Sequence, residues 1–179
     1  MSSQVEIVLT LPQSLGPEMV YLARARTTLG ALTQMVAQAQ YELVMAAPYI
    51  KGEIFGQGIL QNALQHAVEK RHVELNVVTT GESLDSFTNI AWIMANRARV
   101  HFFRPKSNVD IEQHLGSHAK FCIADGQIAY IGSANLTSLG LHQHLEMGVL
   151  LHGELATQVS DFWRLLVINE FFVVDETLV

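Results

Sequence analysis

Apolar positions along the chain change period from place to place, and those changes mark out its elements. Pro17-Glu18 suits the first turn of a helix. Met19, Val20 and Leu22, then Leu29, Leu32, Met35, Val36 and Ala39, continue at helical spacing, with room for a break at Thr27-Thr28. Residues 42–48 (ELVMAAP) are short, apolar and closed by proline, which predicts a buried strand. A helix follows, with Leu60, Leu64, Ala67 and Val68 inward and Lys70-Arg71 at the C-terminal end, where cations suit the dipole. Residues 73–79 (VELNVVT) predict another strand. Phe87, Ile90, Ala91, Met94 and Ala98 predict a third helix, and residues 99–103 a strand ended by Arg104-Pro105. Such alternation predicts an α/β layered domain.

The second half changes character. Residues 119–124 and 127–131 are extended runs separated by Asp125-Gly126, a dipeptide that favours a two-residue hairpin turn. A polar loop over 132–138, a strand over 147–151 and a last helix with Leu155, Val159, Phe162, Trp163 and Leu166 inward complete the pattern. The expected sheet is therefore mixed.

A length of 179 residues without repeats, low-complexity tracts or linker composition predicts one domain over residues 1–179. The 49% hydrophobic content excludes a disordered chain. No apolar run approaches the roughly 18 residues that cross a bilayer, and the N-terminus lacks a basic and then apolar leader pattern. Cys122 is the only cysteine, so a cytoplasmic location and no membrane partner are expected. A formal charge of −6 argues against coating nucleic acid by charge alone, while leaving room for a local phosphate site.

With Asp125-Gly126 as the turn, Ala124 is expected opposite Gln127, Cys122 opposite Ala129 and His118 opposite Ser133. His118 and Lys120 then share one strand face, and Ser133 and Asn135 repeat that geometry on the next strand. Lys and Asn hold phosphate oxygens, Ser adds a hydrogen bond, and His attacks phosphorus or protonates oxygen. A histidine nucleophile needs an acceptor on its second ring nitrogen, and Glu146 is the candidate.

The spacing His118-x-Lys120-x4-Asp125-x6-Gly132-Ser133-x-Asn135 resembles the HKD signature of the phospholipase D superfamily, with Glu146 where many members carry a downstream glutamate. Six fixed residues at about 5% usage each match by chance on the order of once in a million chains. The resemblance implies a layered α/β/α fold with its motif on a β-hairpin, and phosphodiester chemistry without metal or cofactor. It implies that His118 forms a phosphohistidine, that Lys120, Asn135 and Ser133 contact phosphate, and that Ser133 and Glu146 orient the histidine. Asp125 and Gly132 stand as structural members of the motif. His144 replaces an asparagine frequent in relatives. The family chemistry uses two motifs and this chain has one, which implies a homodimer with a shared site. The expected activity is that of a compact nuclease acting on DNA ahead of RNA, with phospholipid hydrolysis or transfer as the alternative. Residues 132–141 and 145–151 also resemble the phospholipase D-like component of DISARM-type anti-phage systems, which implies other defence proteins as partners and allows a non-catalytic subunit.

The other polar clusters have plainer readings. Five of the eight histidines lie between His114 and His152, but no Cys and no Asp beyond Asp125 completes a ligand set, so no metal site is expected. His114, His142 and His144 line the cleft or are solvated loop residues. Arg97, Arg99, Arg104 and Lys106 guide a polyanion or form a solvated face. Cys122 is expected buried and inert, and Trp92, Trp163, Phe162, Phe171 and Phe172 in the core or at a dimer contact.

Overall fold

A computed structural model describes residues 4–15, 18–106 and 118–176. In chain order its strands are β1 (Val5–Thr10), β2 (Arg26–Thr27), β3 (Glu42–Ala46), β4 (Glu74–Val78), β5 (Val100–Pro105), β6 (Phe121–Ala124), β7 (Ile128–Gly132), β8 (Glu146–His152) and β9 (Phe172–Val174). The helices are α1 (Glu18–Leu22), α2 (Thr28–Gln38), α3 (Glu53–Gly56), α4 (Ile59–Arg71), α5 (Gly81–Leu84), α6 (Ala91–Ala95), α7 (Ser138–His142) and α8 (Glu154–Ile168). The strands form one sheet in the order β2-β1-β8-β7-β6-β3-β4-β5-β9. β3, β4 and β5 are parallel, while β6, β7 and β8 run antiparallel to their neighbours, so the sheet is mixed as the pattern predicts.

Alternation along the strands divides the core in two. Leu43, Met45, Leu75, Val77, Cys122 and Tyr130 pack with Leu32, Met35, Leu60 and Leu64 of α2 and α4. Val44, Ala46, Val78, Ile123 and Ala129 pack with Ala156 and Trp163 of α8 on the opposite face. Trp163 anchors that helix edge-on against Phe103, with ring centroids 5.2 Å apart.

The first helical run already ends at Leu22, and the helix resumes at Thr28, where the Thr27 side chain accepts from Gly30 N at 3.2 Å and caps α2. Pro17 lies outside the described residues. The single helix expected around Phe87–Ala98 is instead α5, a 3-10 turn over Asp85–Phe87, and α6. Tertiary bonds override the periodicity there. Ser86 Oγ accepts from Gly52 N at 3.0 Å and the Trp92 indole donates to Phe55 O at 2.7 Å, which draws the segment onto the β3–α4 connection. Ala91 and Ala98 are exposed, and Trp92 and Ile93 take the buried positions. The last helix also turns differently from expectation. Ala156, Ser160 and Trp163 face the sheet, whereas Phe162 is 59% exposed and Leu155, Val159 and Leu166 are half-buried.

The hairpin register is shifted by one residue from expectation: Ala124 pairs with Ile128, Ile123 with Ala129 and Cys122 with Tyr130. Asp125 and Gly126 both take positive φ, 53° and 65°, and Gln127 is left as an additional loop residue. The Asp125 carboxylate explains why that conformation is held in a non-glycine residue. Its oxygens accept from the backbone amides of Gln40, Tyr41 and Glu42 at 2.8, 2.8 and 2.9 Å. Three charge-assisted bonds tie the hairpin turn to the entry of β3. Asp125→Ala is expected to lower stability by about 2–4 kcal/mol, since it strands three amides. Urea unfolding with an unchanged m-value checks this, and a loss below about 0.5 kcal/mol would show that the turn holds itself.

Candidate active site

The strand directions bring the motif residues to one end of the sheet. The C-terminal ends of β1, β3, β4 and β7 and the start of β6 and β8 meet there, because β6 and β8 run against their neighbours. His118 and Lys120 immediately precede β6, Ser133 and Asn135 immediately follow β7, and Glu146 opens β8.

His118 is exposed, whereas Lys120 is 8% exposed. The Lys120 ammonium lies 3.3 Å from His118 Nδ1 and donates to His118 O at 3.0 Å. Burial lowers the Lys120 pKa from the usual 10.5, while the nearby Glu146 carboxylate acts in the opposite direction. Ser133 donates its hydroxyl to Glu146 Oε2 and accepts from Met147 N at 3.1 Å. Glu146 Oε1 stands 3.8 Å from His144 Nδ1. The carboxylate expected to hold His118 is thus bonded to Ser133, and His118 Nδ1 faces a cation. Asn135 Oδ1 is buried and makes no hydrogen bond among the described residues, leaving an acceptor beside the site.

Glycine is required beneath this cluster. The Tyr130 ring lies across Gly132 and Gly148, which pair between β7 and β8. A Cβ on Gly148 would come within 2.6 Å of Tyr130 Cε2 and 2.7 Å of Ile131 O, so no larger residue fits without moving the strand that carries Glu146. Burial raises the Tyr130 hydroxyl well above its ordinary pKa. Burial likewise pushes the Cys122 thiol up to about 12, so this cysteine is packing and holds no thiolate at neutral pH.

The remaining sequence candidates divide. Arg99 pairs with Glu74 at 3.0 Å, Arg104 with Asp175 at 2.9 Å and Lys106 with Glu170, so most of the basic cluster is neutralised by acids. His142 is exposed and lines a separate cavity with Thr10, Pro12 and Leu141. His114 lies outside the described residues. Among those residues, no three His, Cys, Asp or Glu side chains come together as a metal site.

One feature escaped the sequence reading. His118 and Lys120 open onto a cavity of about 750 Å³, walled by Ile131, Leu155, Val159, Phe162, Leu166 and Phe171. Its signal is the 4-3-4 spacing at 155, 159, 162 and 166, which sequence reasoning assigned to the core.

Residues 32–166 match the family model described as "Cardiolipin synthase, PLD-like domain". The chain is 25% identical over 176 residues to the DISARM protein DrmC of Bacillus paralicheniformis. That match takes in 95% of this chain and 66% of the relative's length. In fold it is similar to Nuc of Salmonella typhimurium, a phospholipase D family member (TM-score 0.65, 16% identity, 97% of this chain and 99% of that one). NucT of Helicobacter pylori is as similar (TM-score 0.65, 15% identity, 97% and 100%). Phosphatidylserine synthase of Haemophilus influenzae matches with a TM-score of 0.63 and 13% identity over 97% of this chain, but only 40% of its own. With the family model spanning most of its length and the motif residues gathered at one end of its sheet, the chain belongs to the phospholipase D superfamily.

Proposed function

We propose that this protein is a metal-independent phosphodiesterase, acting on nucleic acid through a phosphohistidine at a site completed by a second copy of the chain. The observation that carries the reading is the pairing of an exposed His118 with a buried Lys120 cation, beside Ser133, Asn135 and Glu146, at one open end of the sheet. His118 Nε2 attacks phosphorus, forming a P–N bond as the P–O bond to the leaving group breaks. The partner's His118 protonates the departing oxygen. It then takes a proton from water, whose oxygen attacks phosphorus and breaks the P–N bond. Lys120 and Asn135 hold the phosphate, the cation offsetting charge that gathers on its oxygens.

Two observations support the dimer. Within one chain, His118 Nδ1 faces the Lys120 ammonium and Glu146 is engaged by Ser133, so among the described residues the nucleophile has neither its acceptor nor its acid. The apolar cavity also adjoins His118, and exposed Phe162, Leu165 and Ile168 extend its rim along α8. Nucleic acid as substrate is supported by the one-domain scale shared with Nuc and NucT, over nearly the full length of each, and by the likeness to a DISARM protein. Defence-system partners follow from that last likeness. The same cavity favours a second reading, hydrolysis or transfer of a phospholipid diester whose chains enter between Phe162 and Ile131.

Turnover of a small aryl phosphodiester is expected to persist in excess EDTA, because His118 and Lys120 supply the nucleophile and the charge a metal would bring. Rapid acid-free quench should leave base-stable, acid-labile phosphate on the wild-type chain and none on His118→Asn. Chelator inhibition reversed by a divalent ion would overturn this chemistry.

Phe162→Asp is expected to shift a dimer toward monomer in light scattering and to lower turnover at least tenfold, the loss shrinking as protein concentration rises. A monomeric wild type of undiminished activity on dilution would remove the two-histidine mechanism. A fully dimeric Phe162→Asp that fails only on phospholipid vesicles would favour the second reading.

Lys120 is held at a cost to the fold. Its folded pKa is lowered from 10.5, so between the two values the unfolded chain binds more protons and stability rises with pH. Lys120→Met is therefore expected to abolish turnover while raising the urea midpoint at pH 7. The alkaline limb of wild-type kcat/KM should fall below pH 10.5, where the free enzyme loses this ammonium. A variant with a lower midpoint would show that the Lys120 bonds outweigh its desolvation.

A further inference from the structure

The sheet end that carries His118 has a second wall, and the mechanism above makes no use of it. After β3 the chain runs through residues 47–53, crossing the start of β6, since β6 lies between β3 and β7 in the sheet. It is fixed at both ends. Ala47 N donates to Val78 O at 3.1 Å, and the hydroxyls of Thr79 and Thr80 donate to Pro48 O at 3.2 and 2.9 Å. On the far side Ile50 is 1% exposed and bridges to Leu136, with Lys51 N donating to Leu136 O at 3.1 Å. Leu136 directly follows Asn135. β3 itself pairs Ala46 with Phe121, the residue after Lys120. The backbone of this loop is therefore registered against both phosphate-holding residues.

On either side of the buried Ile50, Tyr49 is 53% exposed and Lys51 is exposed. They line a cavity of about 420 Å³ with Gly52, Glu53, Ser83 and Ser86. Its walls are rigid: Gly52 N donates to Ser86 Oγ at 3.0 Å, and a Cβ on Gly52 would collide with Ser86 O. No ion pair to Lys51 is present among the described residues, in contrast to Arg99, Arg104 and Lys106. A phenol face and an unpaired ammonium two residues apart, over a cavity of nucleotide size with hydroxyl groups in its wall, match a base and its phosphate.

We propose that Tyr49 and Lys51 form a nucleotide subsite that binds the unit of a single-stranded nucleic acid next to the scissile phosphate, Tyr49 stacking on the base and Lys51 contacting the adjoining phosphate. This rests on the nucleic-acid reading given above and deepens it. Stacking requires an unpaired base, so the subsite selects single strands over duplex. The chemistry is shared by DNA and RNA.

Binding of fluorescently labelled single-stranded DNA, single-stranded RNA and duplex DNA, followed by anisotropy across a salt series with the non-turnover His118→Asn protein, tests it. Tyr49→Ala is expected to weaken single-strand binding about tenfold with the salt slope unchanged, and Tyr49→Trp to restore it. Lys51→Ala is expected to weaken binding and reduce the slope of log K against log salt by about one, with Lys51→Arg retaining it. Tyr49→Leu keeps apolar bulk without a π face; if it binds as tightly as Tyr49→Trp, stacking is refuted. Equal affinity for duplex, or unaltered binding in both alanine variants, also overturns the subsite while leaving oligonucleotide cleavage by the wild type intact. A wild type that hydrolyses an aryl diester yet neither binds nor cleaves any oligonucleotide overturns the subsite and the nucleic-acid reading together, leaving the phosphohistidine chemistry standing. The DNA and RNA arms decide which strand is the ligand.

Discussion

The Asp125 carboxylate, fastened to the amides of Gln40, Tyr41 and Glu42, fixes where the β6–β7 hairpin enters a sheet whose other half is parallel. The turn sits at the end of the sheet remote from the site. Yet β6 is only four residues long and β7 only five, so an error in seating the turn would pass undiminished to Lys120 and Ser133. A carboxylate that never meets substrate thus governs where the reacting groups stand. This is why an aspartate belongs to the motif although it lies seven residues of extended chain away from the histidine, about 23 Å at some 3.3 Å per residue.

At the site end the fold places opposed demands on a few atoms. Lys120 is buried enough to lose proton affinity but would have to remain charged in its proposed role of holding a phosphate, and the Glu146 carboxylate acts in that direction. Glu146 in turn is steadied by Ser133 and carried on a strand that the Tyr130 ring presses close through Gly132 and Gly148. Such a site is preorganised before substrate arrives, which is where electrostatic catalysis gains most. It also leaves Glu146 occupied with Ser133, away from the His118 ring of its own chain.

Much of the motif was legible because local chemistry dictates it. Asp-Gly between two extended runs marks the hairpin, Pro48 follows the end of β3, and Thr27 caps α2. The register was not legible to the residue. Positive φ at both Asp125 and Gly126 is compatible with a two-residue or a three-residue loop, and the choice depends on amides from residues 40–42, some eighty positions away. The one-residue slip moves Ser133 from the expected partnership with His118 to one with the start of β8. The strands β1 and β9 were missed because they are peripheral, their exposed Val5, Ile7 and Val174 giving no clear inward stripe. On α8, two adjacent apolar stripes were merged into one. Ala156, Ser160 and Trp163 face the sheet, whereas Leu155, Val159, Phe162 and Leu166, read as one inward face together with Trp163, lie on the neighbouring stripe.

That second stripe bears on substrate choice. A wall of Leu, Val and Phe beside the Lys120 cation would offer a polyanion no favourable contact, and exposing it to water is costly. Both difficulties disappear if the wall is the surface that a second copy covers. The same association would bring a second His118 and a second Glu146 to a site in which, among the described residues, no side chain is placed as proton donor or as acceptor to the His118 ring. On the proposed reading nucleic acid would approach along the opposite rim, past exposed Tyr49 and Lys51, with exposed Glu53 beside them. On that reading one face of the sheet end would assemble the chemistry and the other receive the strand, which would reconcile a chain of net charge −6 with a phosphodiester ligand.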